Sequence, residues 1–236
     1  MAVILENMRI AKDVFLMRLG GAPEAAAGQF MMLRIKNVLD PFLGRPISIF
    51  DSNGEEASFL YQTAGRGTTL FAAMQAGQEI DLQGPYGNGF SLWPGDAVLI
   101  GGGIGCAPLY LLAKALRERE PERNIEVHLG FREEAYMESA FGAFADKVYT
   151  NIGGFVTRDV DFTRGATYYA CGPTPMLRAA AEAAESEDAR LFVSLEKRMA
   201  CGVGACLGCT CKTEHGNKRV CKDGPVFDYK EVHHAL

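Results

Sequence analysis

Seven cysteines stand in this chain of 236 residues, and four of them sit at spacings that can do chemistry. Four residues separate Cys201 from Cys206, two separate Cys206 from Cys209, and eleven more lead to Cys221. This C-x4-C-x2-C…C pattern lets three thiolates from one loop, and a fourth from beyond it, ligate a 2Fe–2S cluster. Gly202, Gly204 and Gly208 let backbone approach the sulfides without a Cβ in the way. Inward N–H groups can then hydrogen-bond the sulfurs. A zinc site and a disulfide framework compete. Zinc loops usually pair two C-x2-C knuckles, and only one is present; disulfides need an oxidising compartment that nothing else suggests. Cys211 lies off the spacing and is expected not to ligate.

Phosphate-binding chemistry is written in two glycine-rich stretches. Gly65-Arg66-Gly67-Thr68 opens a short helix whose free N–H groups suit a diphosphate. Gly101, Gly102, Gly103 and Gly105 follow the apolar run Ala97–Ile100 and precede a helical stretch, Ala107–Arg119. Strand, glycine loop and helix form the first unit of a doubly wound nucleotide domain. Arg45-Pro46-Ile47-Ser48 adds a fixed cation and a hydroxyl at a strand start. Each feature has a plainer reading, as surface arginine or ordinary turn.

The elements that must position these residues fall into three groups. Residues 1–94 read as short strands (Ala2–Leu5, Val14–Leu19, Phe30–Ile35, Ile47–Phe50, Ser58–Gln62, Glu79–Leu82) with one helix, Thr69–Met74, which favours an antiparallel barrel. Residues 95–190 alternate buried strands (Ile125–Phe131, Lys147–Asn151, Ala166–Ala170) with helices at Glu133–Ser139 and Thr174–Glu187, an α/β pattern that Leu191–Leu195 continues. Residues 191–236 form the cluster unit. Cys171-Gly172-Pro173 ends a strand and begins a helix, so its turn belongs on the carboxyl edge with the first glycine loop.

Composition sets the bounds. Hydrophobic residues at 48% and charged residues at 22% describe an ordinary folded chain. The net charge of −5 argues against a nucleic-acid partner. Charges near the N-terminus fall too early for a signal peptide, and Ala97–Ala113 is broken by glycines and a proline, so it is no membrane span. Thiols beside a metal cluster point to the reducing cytoplasm. His128, in an apolar strand, is expected to be a satisfied core residue. His215 is an unneeded ligand where four cysteines suffice, and His233 and His234 have no evident role.

In this order the motifs resemble the ferredoxin–NAD(P) reductase family. The resemblance implies that Arg45, Pro46, Ile47 and Ser48 bind FAD, with Ser48 near the reactive ring nitrogen. It puts Leu60, Tyr61 and Gln62 under the cofactor and Gly67 and Thr68 at its diphosphate. Many reductases carry an aromatic residue where this chain has Ile47. Cys171, Gly172 and Pro173, in a Cys-Gly-Pro-x-x-Met string, are implied to face the nicotinamide of NAD. The catalytic residues would be Ser48 and Cys171. With a ferredoxin-like 2Fe–2S loop after the nucleotide domain, and Leu195-Glu-Lys-Arg-Met-Ala-Cys201-Gly-Val-Gly and Val220-Cys221-Lys-Asp-Gly-Pro-Val-Phe227 as they stand, the chain is similar to electron-transfer subunits of NAD-dependent dihydroorotate dehydrogenase. That similarity implies an FMN-containing catalytic partner in a heterotetramer. Two other classes stay open: a subunit of a sulfide- or ferredoxin-linked NADPH oxidoreductase, and a zinc-binding scaffold.

Overall fold

The computed structural model describes residues 2–236. Its first unit is a curled antiparallel sheet of β1 (Ala2–Ala11), β2 (Val14–Gly20), β3 (Phe30–Ile35), β4 (Arg45–Ser48), β5 (Asp51–Ser52), β6 (Glu56–Gln62) and, after helix α1 (Arg66–Ala72), β7 (Glu79–Tyr86). The strand order is β4-β3-β7-β1-β2-β6-β5. Only Ile49 and Phe50 separate the two edge strands β4 and β5 in sequence, so the sheet must curl into a half-barrel. A two-residue turn, Lys12-Asp13, joins β1 to β2, with Asp13 at positive φ, a conformation that Asp tolerates better than most residues.

The second unit holds β8 (Ala97–Gly102), α2 (Ala107–Arg119), β9 (Ile125–Phe131), α3 (Glu138–Phe141), β10 (Lys147–Ile152), β11 (Thr167–Cys171), α4 (Thr174–Ser186) and β12 (Arg190–Ser194). These five strands are parallel in the order β10-β9-β8-β11-β12, the doubly wound arrangement. The third unit contains the hairpin β13 (Thr210–Thr213) and β14 (Gly216–Arg219), then α5 (Val220–Asp223), β15 (Val226–Asp228) and α6 (Tyr229–Val232). No helix among the described residues is long and apolar enough to cross a membrane.

Several expectations move. The strand expected at Ile47–Phe50 begins two residues earlier, because Arg45–Ser48 pair with Leu33–Phe30. The helix expected at Thr69–Met74 starts at Arg66 and ends at Ala72. A helix over Glu133–Ser139 does not form: Met137 has φ 67, and only Glu138–Phe141 turns. The break expected at residue 191 falls inside β12, which pairs with β11 along its length. The cluster unit is not set apart either, since its strand β15 adds antiparallel to β12.

The packing explains why β3, Phe-Met-Met-Leu-Arg-Ile, lacks the alternation of a half-exposed strand. Met31 and Leu33 face the half-barrel core, whereas Phe30 and Met32 join a second core with Cys209, Cys211, Val220 and Cys221. Both faces of β3 are covered. Phe50 stacks on Tyr110 of α2, their centroids 4.1 Å apart, and Lys114 reaches Asp51 at 2.8 Å. Half-barrel and nucleotide unit therefore share one continuous core.

Candidate functional site

The thiol loop runs from Cys201 to Cys209 and is shaped by positive φ at Gly202, Gly204 and Leu207. That path turns N–H groups towards sulfur. The Cys201 Sγ accepts the Cys206 N–H at 3.4 Å, and the Cys209 Sγ accepts the Cys221 N–H at 3.4 Å. Hydrogen bonds from the amides of Cys206, Val203 and Ala205 hold the Cys201 thiol down to about 6, so it is a thiolate at neutral pH. Burial and the neighbouring Cys209 push Cys221 up to about 12, while the Gly204 amide opposes them.

The side chains of Cys201 and Cys206 interact, as do those of Cys209 and Cys221, and Cys221 also feels the charge of Cys201. Among the described residues, no three metal-ligating side chains converge to hold a single ion. Two pairs of sulfurs with amides turned towards them suit a cluster with two irons. Cys211 stands apart in β13, buried opposite Lys218.

Two glycine contacts seat this loop. A Cβ on Gly202 would lie 2.8 Å from Met32 Cγ and 3.3 Å from Tyr86 Cδ2, on β3 and β7. A Cβ on Gly204 would lie 2.9 Å from Lys222 Cδ. From the other side, the turn after β7 grips the loop's partner helix. Asn88 donates its N–H to Gly224 O at 2.6 Å and its side-chain amide to Asp223 O at 3.1 Å. Met32 was not singled out from the sequence. The consecutive apolar residues Phe30–Leu33 of β3 were the signal that could have found Met32.

The flavin-type motifs do come together. The Arg45 side chain lies over the start of α1, where a Cβ on Gly67 would stand 2.5 Å from its Nε. Gly65 opens onto free space. The Thr68 hydroxyl accepts the Ala64 N–H at 2.9 Å and donates to Gly65 O, so it shapes the turn. Pro46 pairs with Met32, Ile47 with Met31 and Ser48 with Phe30. On β6, Leu60 and Tyr61 are buried and only Gln62 is exposed. Tyr61 stacks on Phe15 and donates its hydroxyl to Asn7 at 3.0 Å, so its ring belongs to the half-barrel core. A cradle of arginine, open glycine and small residues suits a dinucleotide such as FAD.

On the nucleotide sheet, Gly101 and Cys171 are register partners on adjacent parallel strands, so both loops share the carboxyl edge. Most of the glycines there serve the contact between the two loops. A Cβ on Gly102 would strike Met176 Sδ at 2.6 Å, and one on Gly105 would strike Cys171 O at 2.3 Å. Gly172 packs on Gly102 in the same way, beside Pro173. Gly103, with φ 54 and nothing within 4 Å, is the position open to a ligand. Burial pushes the Cys171 thiol up to about 12, although a hydrogen bond with Ser194 opposes it. The thiol stays protonated and is no nucleophile. Ser194 is its register partner on β12.

Comparison with known proteins gives consistent results. Residues 196–233 match the family described as the iron-sulfur cluster binding domain of dihydroorotate dehydrogenase B. The chain is 40% identical over 97% of its length, and 96% of the relative, to "Dihydroorotate dehydrogenase B (NAD(+)), electron transfer subunit" of Clostridium perfringens. The protein of that name from Caldanaerobacter subterraneus is 39% identical, covering 98% of this chain and 97% of its own. Among solved structures, one described as the NADH-dependent reduced ferredoxin-NADP oxidoreductase superposes over 100% of this chain and 91% of its own, with TM-score 0.88 and 27% identity. The Amycolatopsis cytochrome P450 reductase GcoB covers 79% of this chain and 65% of its own, with TM-score 0.66 and 27% identity.

Proposed function

The chain belongs to the family of electron-transfer subunits of NAD-dependent dihydroorotate dehydrogenase B, and on that premise we propose how its residues divide the work. It is an oxidoreductase subunit with FAD, a 2Fe–2S cluster and NAD as cofactors. When bound, FAD couples the hydride chemistry of nicotinamide to the one-electron chemistry of the cluster.

The protein's own residues hold, separate and shield. Cys201, Cys206, Cys209 and Cys221 ligate the cluster, with amides of the 203–206 turn aimed at Cys201. Arg45 and the Gly65–Thr68 turn hold the flavin diphosphate, while Pro46, Ile47 and Ser48 lie along the flavin with Ser48 at its reactive edge. Leu60, Tyr61 and Gln62 support that site through β6, Tyr61 from within the core. Gly101, Gly102, Gly103 and Gly105 with Cys171, Gly172 and Pro173 form the NAD edge, and the protonated Cys171 thiol faces the nicotinamide. Three functional units follow, with the last beginning after Ser194.

The observation that carries this reading is the seat of the thiol loop on β3 and β7, next to the strand that bears Arg45–Ser48. The partner is the dihydroorotate-oxidising subunit, which we place, with its FMN, over residues 201–209 in a heterotetramer of two of each chain. Val203, Ala205 and Leu207 all point outward there. Exposed Phe42 and Leu43 line, with Cys201, a crevice of about 180 Å³ beside it. A cluster of four cysteines with three further thiols outside any disulfide fits a cytoplasmic setting. The ferredoxin-linked NADPH alternative is not favoured, because nearly full-length relatives at 35% to 40% identity carry the dihydroorotate name.

Purification with the catalytic subunit tests the proposal. The complex should show flavin and iron–sulfur absorbance and reduce NAD with dihydroorotate, whereas this chain alone should pass electrons only from NADH to artificial acceptors. Dihydroorotate oxidation by the isolated chain, or a colourless protein, would sink it.

A further inference from the structure

Met32 occupies a place that neither the cluster spacing nor the flavin motif explains. It is buried on β3, with Pro46 of β4 on one side in register and Gln83 of β7 on the other. Its side chain leaves the half-barrel core and joins the core of the cluster unit. There it meets the thiol loop at Gly202, whose missing Cβ would lie 2.8 Å from Met32 Cγ and 3.2 Å from its Sδ. One methionine therefore touches the loop of the first cluster thiol and shares a strand pair with Arg45-Pro46-Ile47-Ser48.

The contact has a second rail. Phe30, two residues earlier on the same face, pairs with Ser48 and with Tyr86, and Tyr86 is the other group against Gly202. A crevice of about 180 Å³ opens beside Met32, lined also by Gly44, Ala200 and Cys201. The loop is thus not backed by solid packing on every side. Methionine is unbranched and polarizable, suited to fill such an irregular seam. Met32 thus has the flavin strand beside it in the sheet and the thiol loop against its side chain on the face.

We propose that Met32 is a positioning residue that fixes the cluster loop against the flavin strand and so sets the spacing over which single electrons cross. The inference rests on the cofactor placement above. With the cofactors bound, oxidation of one NADH would supply two electrons and one proton, and two ferricyanide ions would take up the electrons one at a time.

The test compares the holoprotein with its Met32→Ala and Met32→Leu variants, with ferricyanide as acceptor. Met32→Ala should keep its flavin and iron and its rate of flavin bleaching by NADH. Its subsequent cluster reduction, followed by absorbance and by the cluster's EPR signal, should slow by about tenfold or more, the scale of a small misplacement of reacting groups. Amides of residues 201–206 should exchange hydrogen faster in Met32→Ala, and Met32→Leu should restore both readouts. Should Met32→Ala shed iron, the exchange comparison is made on all three proteins stripped of cluster. Unchanged cluster reduction in an iron-replete Met32→Ala, or unchanged exchange in the stripped set, overturns the inference. Absence of flavin or iron from the parent protein would instead overturn the cofactor placement.

Discussion

Single side chains here are governed by which polar atoms they meet once buried. Cys201 receives three backbone amides and ionises, whereas desolvation outweighs the one hydrogen bond at Cys171, which stays a thiol. The ligand assignment makes a direct prediction: serine at Cys201, Cys206, Cys209 or Cys221 should lose bound iron, and serine at Cys211 should keep it. Iron analysis decides it, and cluster loss from Cys211→Ser would count against the assignment. A second residue-scale feature lies under β9, away from the cofactors. Glu126 is buried, which disfavours its charge. Arg164 at 2.6 Å and His128 at 2.7 Å outweigh that and hold its carboxyl below the usual 4.5. Tyr168, on the neighbouring β11, also feels this charge, and Tyr149 of β10 stacks on His128. His128 is therefore only half satisfied, since its Nδ1 has no partner. A depressed carboxylate stabilises the fold above its unfolded pKa, and that contribution disappears as pH falls through the folded value. Glu126→Gln should cost about 3 kcal/mol at neutral pH, the scale of a broken buried pair. The gap in urea unfolding between the two proteins should close below the ordinary carboxylate range. A constant gap down to acid pH would refute this account.

Elements act here mainly by bringing loops to one edge. The parallel pairing of β8 with β11 puts Gly101 beside Cys171, and the glycines let the two loops interlock. The segment leaving β9 is more surprising. Glu133 and Glu134 were expected to continue as a helix, yet both are bound by Lys12 of the β1–β2 turn, through its Nζ at 3.1 Å and its amide at 3.0 Å. Carboxylates at this exit suit ribose hydroxyls and repel an added phosphate, so NADH should be preferred over NADPH. Lys12 offsets part of that charge. Lys12→Ala should widen the preference by about two- to fivefold, the scale of an exposed charge pair, and the double change Glu133→Gln with Glu134→Gln should narrow it. Steady-state rates with both cofactors measure this; a parent protein that prefers NADPH would defeat the argument.

At the scale of the molecule, the cluster unit is wedged between the other two. Its strand β15 extends the nucleotide sheet, its helix α5 is gripped by Asn88, and its loop lies on β3 and β7. What it leaves outside is the apolar rim of Val203 and Leu207, the latter 61% exposed. We propose this rim as the contact surface for the partner subunit. Leu207→Glu should weaken association with the FMN subunit by about tenfold or more, as loss of a buried anchor does, while NADH-driven ferricyanide reduction by this chain stays intact. Unaltered complex formation on gel filtration would place the partner elsewhere.

Local turns and the elements that carry them were legible because they are encoded in spacing. The cysteine intervals, the Arg-Pro-Ile-Ser and Gly-Arg-Gly-Thr segments and the strand–glycine–helix run each specify a turn or a ligand set within a few residues, and backbone geometry leaves few alternatives. The order of the three modules followed from the same signals. Contacts between distant segments were not legible, since no local pattern carries them. Sequence could not say that Met32 would turn from the half-barrel towards Gly202, or that Lys12 would bind Glu133 and Glu134 rather than let them start a helix. Nor could it say that Val226–Asp228 would finish the nucleotide sheet. Each depends on which surfaces meet when three units fold together, and burial is a property of that meeting rather than of any one stretch of chain.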